Sequence, residues 1–79
     1  MSKTFEITFR DSEGNVDFHV KDSTYKARKA YLNELYRTAS EEYTLRAIVA
    51  LNGLIKKGGG EVEVCNGYNC YDKLSVTIS

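Results

Sequence analysis

The sequence predicts an α+β domain of order ββααββ, a four-stranded antiparallel sheet with an αα-hairpin packed on one face. Apolar and polar residues alternate along four short runs, two near each end of the chain. Between Ser23 and Lys57 the apolar period becomes helical, and clusters of turn-forming residues separate the runs.

In the first run Phe5, Ile7 and Phe9 share one side and Thr4, Glu6 and Thr8 the other, the pattern of a half-buried strand. Asp11-Ser12-Glu13-Gly14-Asn15 supplies a turn, after which Val16, Phe18 and Val20 alternate with Asp17, His19 and Lys21. Pairing Phe9 with Val16 sets Ile7 opposite Phe18 and Phe5 opposite Val20, so all six share a face. Phe18 is then expected in the core, as is Leu51 of the second helix. Truncating Phe18 to Ala should cost about 3–5 kcal/mol.

Asp22 or Ser23 can cap a first helix. At ~100° per residue, Ala27, Tyr31, Leu35, Ala39, Leu32, Tyr25 and Tyr36 cover one half of its cylinder. Lys26, Lys29, Asn33, Glu34 and Arg37 cover the other half. Arg28 falls within the apolar arc, its stem expected along the sheet edge and its head in water.

Thr38 to Ser40 interrupts the period. Thr38 with Glu41 fits a capping box, and Ser40 before Glu41 and Glu42 fits a simple cap. The second helix carries Tyr43, Ala47, Ile48, Ala50, Leu51, Leu54 and Ile55, with Leu45 and Val49 on a flank. It ends on Lys56-Lys57 and Gly58-Gly59-Gly60, which suit the dipole and a left-handed stop.

Two further strands follow, with Val62 and Val64 inward on one and Leu74, Val76 and Ile78 inward on the other. Asn66-Gly67 favours a two-residue turn, which would set Val64 opposite Asn69 and Val62 opposite Tyr71. That register turns the last strand the wrong way, so a longer loop or a bulge is expected across residues 66 to 72. The order of strands in the sheet stays open.

Seventy-nine residues suit one core, so residues 1–79 are expected to form a single domain. With 42% hydrophobic and 28% charged residues the composition is that of a globular protein. Eleven basic residues balance eleven acidic ones. This disfavours both a dedicated nucleic-acid binder, which carries a basic excess, and an acidic mimic of DNA. Met1-Ser-Lys-Thr-Phe-Glu does not resemble a signal peptide, and the longest apolar block, Ala47 to Leu51, is far short of the ~20 residues of a membrane span. The chain reads as a complete cytoplasmic protein with no membrane association and reduced thiols.

The chemistry-bearing residues are sparse. His19 is expected on the solvent face opposite Glu6, where an exposed cross-strand ion pair outweighs a general-base role because no nucleophile or cleft accompanies it. Cys65 and Cys70 bracket Asn-Gly-Tyr-Asn, a spacing unlike that of zinc knuckles. Free thiols are favoured over a disulfide, and no metal or cofactor is expected. Gly58-Gly59-Gly60 follows a helix, whereas a phosphate-cradling loop precedes one. Nothing in this set makes an enzyme.

Two candidate binding surfaces emerge. Tyr68, Asn69 and Tyr71 stand at the tip of the second hairpin, with Glu61, Glu63 and Lys73 on the adjoining open sheet face, a composition suited to a protein partner. Lys26, Lys29 and Arg37 form a narrow basic stripe on the first helix, either a solvated face or a contact for nucleic acid. In length, in lacking a catalytic set and in economy of chain, the protein resembles small accessory proteins of phages and mobile elements, including anti-CRISPR inhibitors. The resemblance covers no particular residues. It implies a non-enzymatic module that blocks a larger protein or host complex stoichiometrically, with nucleic-acid binding through the basic stripe as the alternative.

Overall fold

The first turn fixes how the sheet begins. One carboxylate oxygen of Asp11 accepts hydrogen bonds from the amides of Glu13 and Asn15, at 2.9 and 2.8 Å. The Asp11 amide donates to the Asn15 carbonyl at 2.8 Å, and Gly14 takes a φ of +92° that an L side chain disfavours. These bonds hold the Asp11 carboxyl below its ordinary range, the Asn15 amide contributing most.

The computed structural model describes residues 3–65 and 71–79. Its elements are β1 (Thr4–Arg10), β2 (Val16–Ser23), α1 (Thr24–Thr38), α2 (Glu41–Lys57), β3 (Gly60–Cys65) and β4 (Tyr71–Ile78). The four strands form one antiparallel sheet in the order β2-β1-β4-β3, and both helices pack on the same face. β1 and β4 therefore lie in the centre, closed by reciprocal bonds between Thr4 and Ser79. None of the described helices is long and apolar enough to cross a membrane.

The core follows the alternation. Phe5, Ile7 and Phe9 of β1 and Leu74 and Val76 of β4 are buried beneath Ala27, Tyr31 and Leu35 of α1 and Ala47, Leu51 and Leu54 of α2. Tyr31 is wholly enclosed, donates its hydroxyl to the Ala47 carbonyl at 3.0 Å, and so ties the helices together. Burial pushes its phenol far above the ordinary value. The edge strands are less covered: Phe18 and Val20 of β2 are half-buried, and Val62 of β3 faces inward but remains exposed.

Hairpin one departs from the expected register. Phe9 pairs with Phe18 and Ile7 with Val20, while Arg10 pairs with Val16, so a bulge leaves Asp17 without an opposite residue. The turn closes on Asp11 and Asn15, and the additional residue restores inward parity to Phe18. Both phenylalanine rings then meet Tyr31, each with ring centroids 6.1 Å apart. Val16 is thereby moved to the outer face, 51% exposed. Because Phe18 is half-buried, its truncation should cost less than the 3–5 kcal/mol expected of an enclosed ring.

α1 also differs from its expected arc. Ala27, Tyr31 and Leu35 are buried, whereas Tyr25 and Tyr36 are 72% and 69% exposed. α1 lies over β2 and β1, and its contact stripe is narrow. Arg28 does not trail along the sheet edge but donates to Asn52 of α2 at 3.3 Å. The cap of α2 is Ser40, whose hydroxyl accepts from the Tyr43 amide at 3.2 Å. Thr38 bonds back to the Glu34 carbonyl and takes no part in that cap.

Candidate functional site

β3 and β4 pair with Val62 opposite Leu74, Glu63 opposite Lys73 and Cys65 opposite Tyr71. A two-residue Asn66-Gly67 turn is incompatible with the Cys65–Tyr71 pair; the described ladder contains no bulge, and residues 66–70, where the longer loop is expected, lie outside the described residues. Glu61, Glu63, Lys73 and Tyr71 emerge together on the outer face. Lys73 reaches a Glu61 carboxylate oxygen at 3.6 Å, although Glu63 is its opposite neighbour, and Tyr71 is 53% exposed. Tyr68, Asn69 and Cys70, including any bond from Cys70 to the half-buried Cys65, lie outside the described residues.

The same face continues across β1 and β2 with Arg10, Thr8, Glu6, Val16, His19 and Lys21. His19 stands opposite Thr8, not Glu6, because of the shifted register. Its Nε2 still reaches the Glu6 carboxylate at 2.9 Å on the diagonal, and this hydrogen bond is the main reason that the Glu6 carboxyl is held low. The pair lies on an open, twisted sheet surface, with Thr8 beside it.

A second feature runs along the free edge of β3, where no other described strand pairs. Leu45 and Val49, one turn apart on α2, are 59% and 71% exposed, and Val62 is 37% exposed beside them. With Ala50, Val64 and Cys65 they line a shallow apolar groove bordered by Glu63 and Arg46. Sequence reading put Leu45 and Val49 on a flank of the helix. It missed their meeting with β3, since strand order decides which helix flank lies at which edge.

The basic stripe of α1 is only partly free. Arg37 donates to Glu34 at 2.6 Å, a bond that raises the arginine's own pKa, and Lys29 lies 5.8 Å from the Tyr25 ring centroid. Lys26 is exposed on the same helix. Tyr25, Arg28, Lys29, Leu32 and Tyr36 border a second shallow depression, an aromatic and basic mixture hidden when Tyr25 and Tyr36 are assigned to the core.

A third hollow, about 570 Å³, opens between the helices and the sheet where α1 passes into α2. Phe9, Phe18, Tyr31 and Tyr43 contribute aromatic surface, and Asp17 and Asp72 contribute carboxylates. Asp72 is there because its pairing with Val64 gives it inward parity. It accepts from the Tyr43 hydroxyl at 2.5 Å. Burial, followed by this bond, drives the Tyr43 phenol far above its ordinary value. Asp17 points here because of the bulge. Its carboxyl is raised, first by partial burial and then by repulsion from Asp11 and Asp72.

Among the described residues no three His, Cys, Asp or Glu side chains converge as a metal centre requires. Compared with known proteins, the chain matches no family model, no curated protein and no solved structure.

Proposed function

We propose that this chain is a non-enzymatic protein-binding module that captures an extended segment of a larger partner along the free edge of β3 and blocks that partner stoichiometrically. One juxtaposition carries the reading: a sheet edge on which no other described strand pairs lies directly beside the exposed apolar side chains Leu45, Val49 and Val62. An incoming strand gains backbone hydrogen bonds from the edge and buries alternate side chains against α2. Its other side chains fall next to Glu61 and Glu63, which favours a partner segment alternating apolar with basic residues. Tyr71 and Lys73 extend the same contact across the outer face. Such blocking is the mode of action that the resemblance to phage and mobile-element inhibitors implies.

The alternative, a nucleic-acid module, draws support from Tyr25 and Tyr36 interleaved with Arg28 and Lys29 on α1. The pairing of Arg37 with Glu34 counts against it. The two readings separate in one affinity experiment on cells of the source, using wild type and a Leu45→Asp/Val49→Asp variant with and without nuclease. Both substitutions are at exposed positions, so circular dichroism should show the variant folded. The proposal expects a one-to-one protein complex that survives nuclease and weakens at least about tenfold in the variant. Equal retention by the folded variant, or recovery that nuclease abolishes, overturns it.

A further inference from the structure

We infer that the hollow between the α1–α2 junction and the sheet is a binding site for an organic cation, an alkylammonium or guanidinium group. Its walls are aromatic, with Phe18 and Tyr43 half-buried above the enclosed Phe9 and Tyr31. Ring faces attract a cation through their quadrupole, and the attraction strengthens where water is partly excluded. The rings are held in place by packing on one another, Phe9 lying 6.1 Å from both Tyr31 and Tyr43, centroid to centroid, and all of them line the same hollow.

The charges lining the hollow are unbalanced in one direction. Glu34 and Glu42 also line it, but each is held by an arginine, Arg37 and Arg46 respectively. Asp17 and Asp72 have no basic side chain within ion-pair distance among the described residues. Asp72 contributes to the repulsion that raises the Asp17 carboxyl, and a bound cation offsets it. A metal ion fits less well, because no third ligand converges with them among the described residues. A long apolar stem ending in a delocalised or hydrated charge matches an aromatic cleft with carboxylates beside it. This chemistry is shared by a lysine or arginine side chain of a partner and by a free amine.

The test uses the intact chain and n-butylguanidinium as probe, with the neutral isostere n-butylurea as control. Ring proton resonances of Phe18 and Tyr43 should shift saturably with the cation and not with the urea. Asp17→Asn, at an exposed position, should weaken binding roughly two- to fivefold, and adding Asp72→Asn should weaken it further by a similar factor. A capped arginine tripeptide separates the sources: tighter binding than the free probe points to a partner's side chain, and exclusion of the peptide points to a free amine. Absence of saturable shifts overturns the inference, as do equal shifts with n-butylurea or undiminished binding by a folded Asp17→Asn protein.

Discussion

Asp17 shows how much one residue outside the strand register can do. As the unpaired residue of a bulge, it lets Phe18 keep its place under Tyr31 while it lines the same hollow as Asp72. Because partial burial and then its acidic neighbours raise its folded-state pKa, the native protein binds this proton more tightly than the unfolded chain does. Its contribution to stability is therefore complete below the unfolded value and is lost as pH rises through the folded one. Asp17→Asn removes that loss. The variant should have a higher thermal midpoint than wild type near neutral pH, and the gap should narrow on titration toward about pH 3. A variant less stable than wild type at neutral pH would show that the carboxylate has a stabilising partner. None of this was legible in the sequence. Strict alternation assigned Val16 inward and Asp17 outward, and only the turn geometry set by Asp11 and Asn15 reverses both.

At the scale of elements, the sequence was most informative where two signals agreed. α2 had a cap, first-turn acids, last-turn lysines and a glycine stop, and all four are in place: Ser40 caps it, Glu41 and Glu42 lie in its first turn, Lys56 and Lys57 in its last, and Gly58 ends it in the left-handed region. α1 had its period and a candidate cap, but Ser23 makes no side-chain cap bond, and the outer arc was misjudged, because a helix over an edge strand buries a narrower stripe than an even division of the cylinder suggests. The stop of α2 is also where the helix meets the sheet. Gly58 has φ +90° with open space around it. Gly59 has φ +112°, and a Cβ there would lie 2.9 Å from the Val76 carbonyl oxygen. Gly58→Ala should therefore cost about 1–2 kcal/mol from backbone strain alone. Gly59→Ala should cost more, since the obstructing carbonyl belongs to central strand β4. Urea denaturation of the two variants measures the difference, and equal midpoints would mean that the approach of Gly59 to β4 relaxes without cost.

Across the whole molecule, the fold class was legible because hairpin, helix pair and hairpin have few ways to bury their apolar faces together. Which surface that leaves unoccupied was not legible, since it depends on the order β2-β1-β4-β3. That order brings β3 to an edge and sets Val62 beside Leu45 and Val49, while Glu61, Glu63 and Lys73 remain together on the outer face as their parity required. The central claim is that a partner adds a strand to β3. Amide hydrogen exchange on the one-to-one complex tests it most directly, because an edge that gains a strand gains hydrogen bonds. The account predicts that amides of Gly60–Cys65 exchange markedly more slowly in the complex than in the free protein, with those of Thr24–Thr38 unchanged. Slowing confined to Thr24–Thr38, with Gly60–Cys65 unaffected, would contradict it.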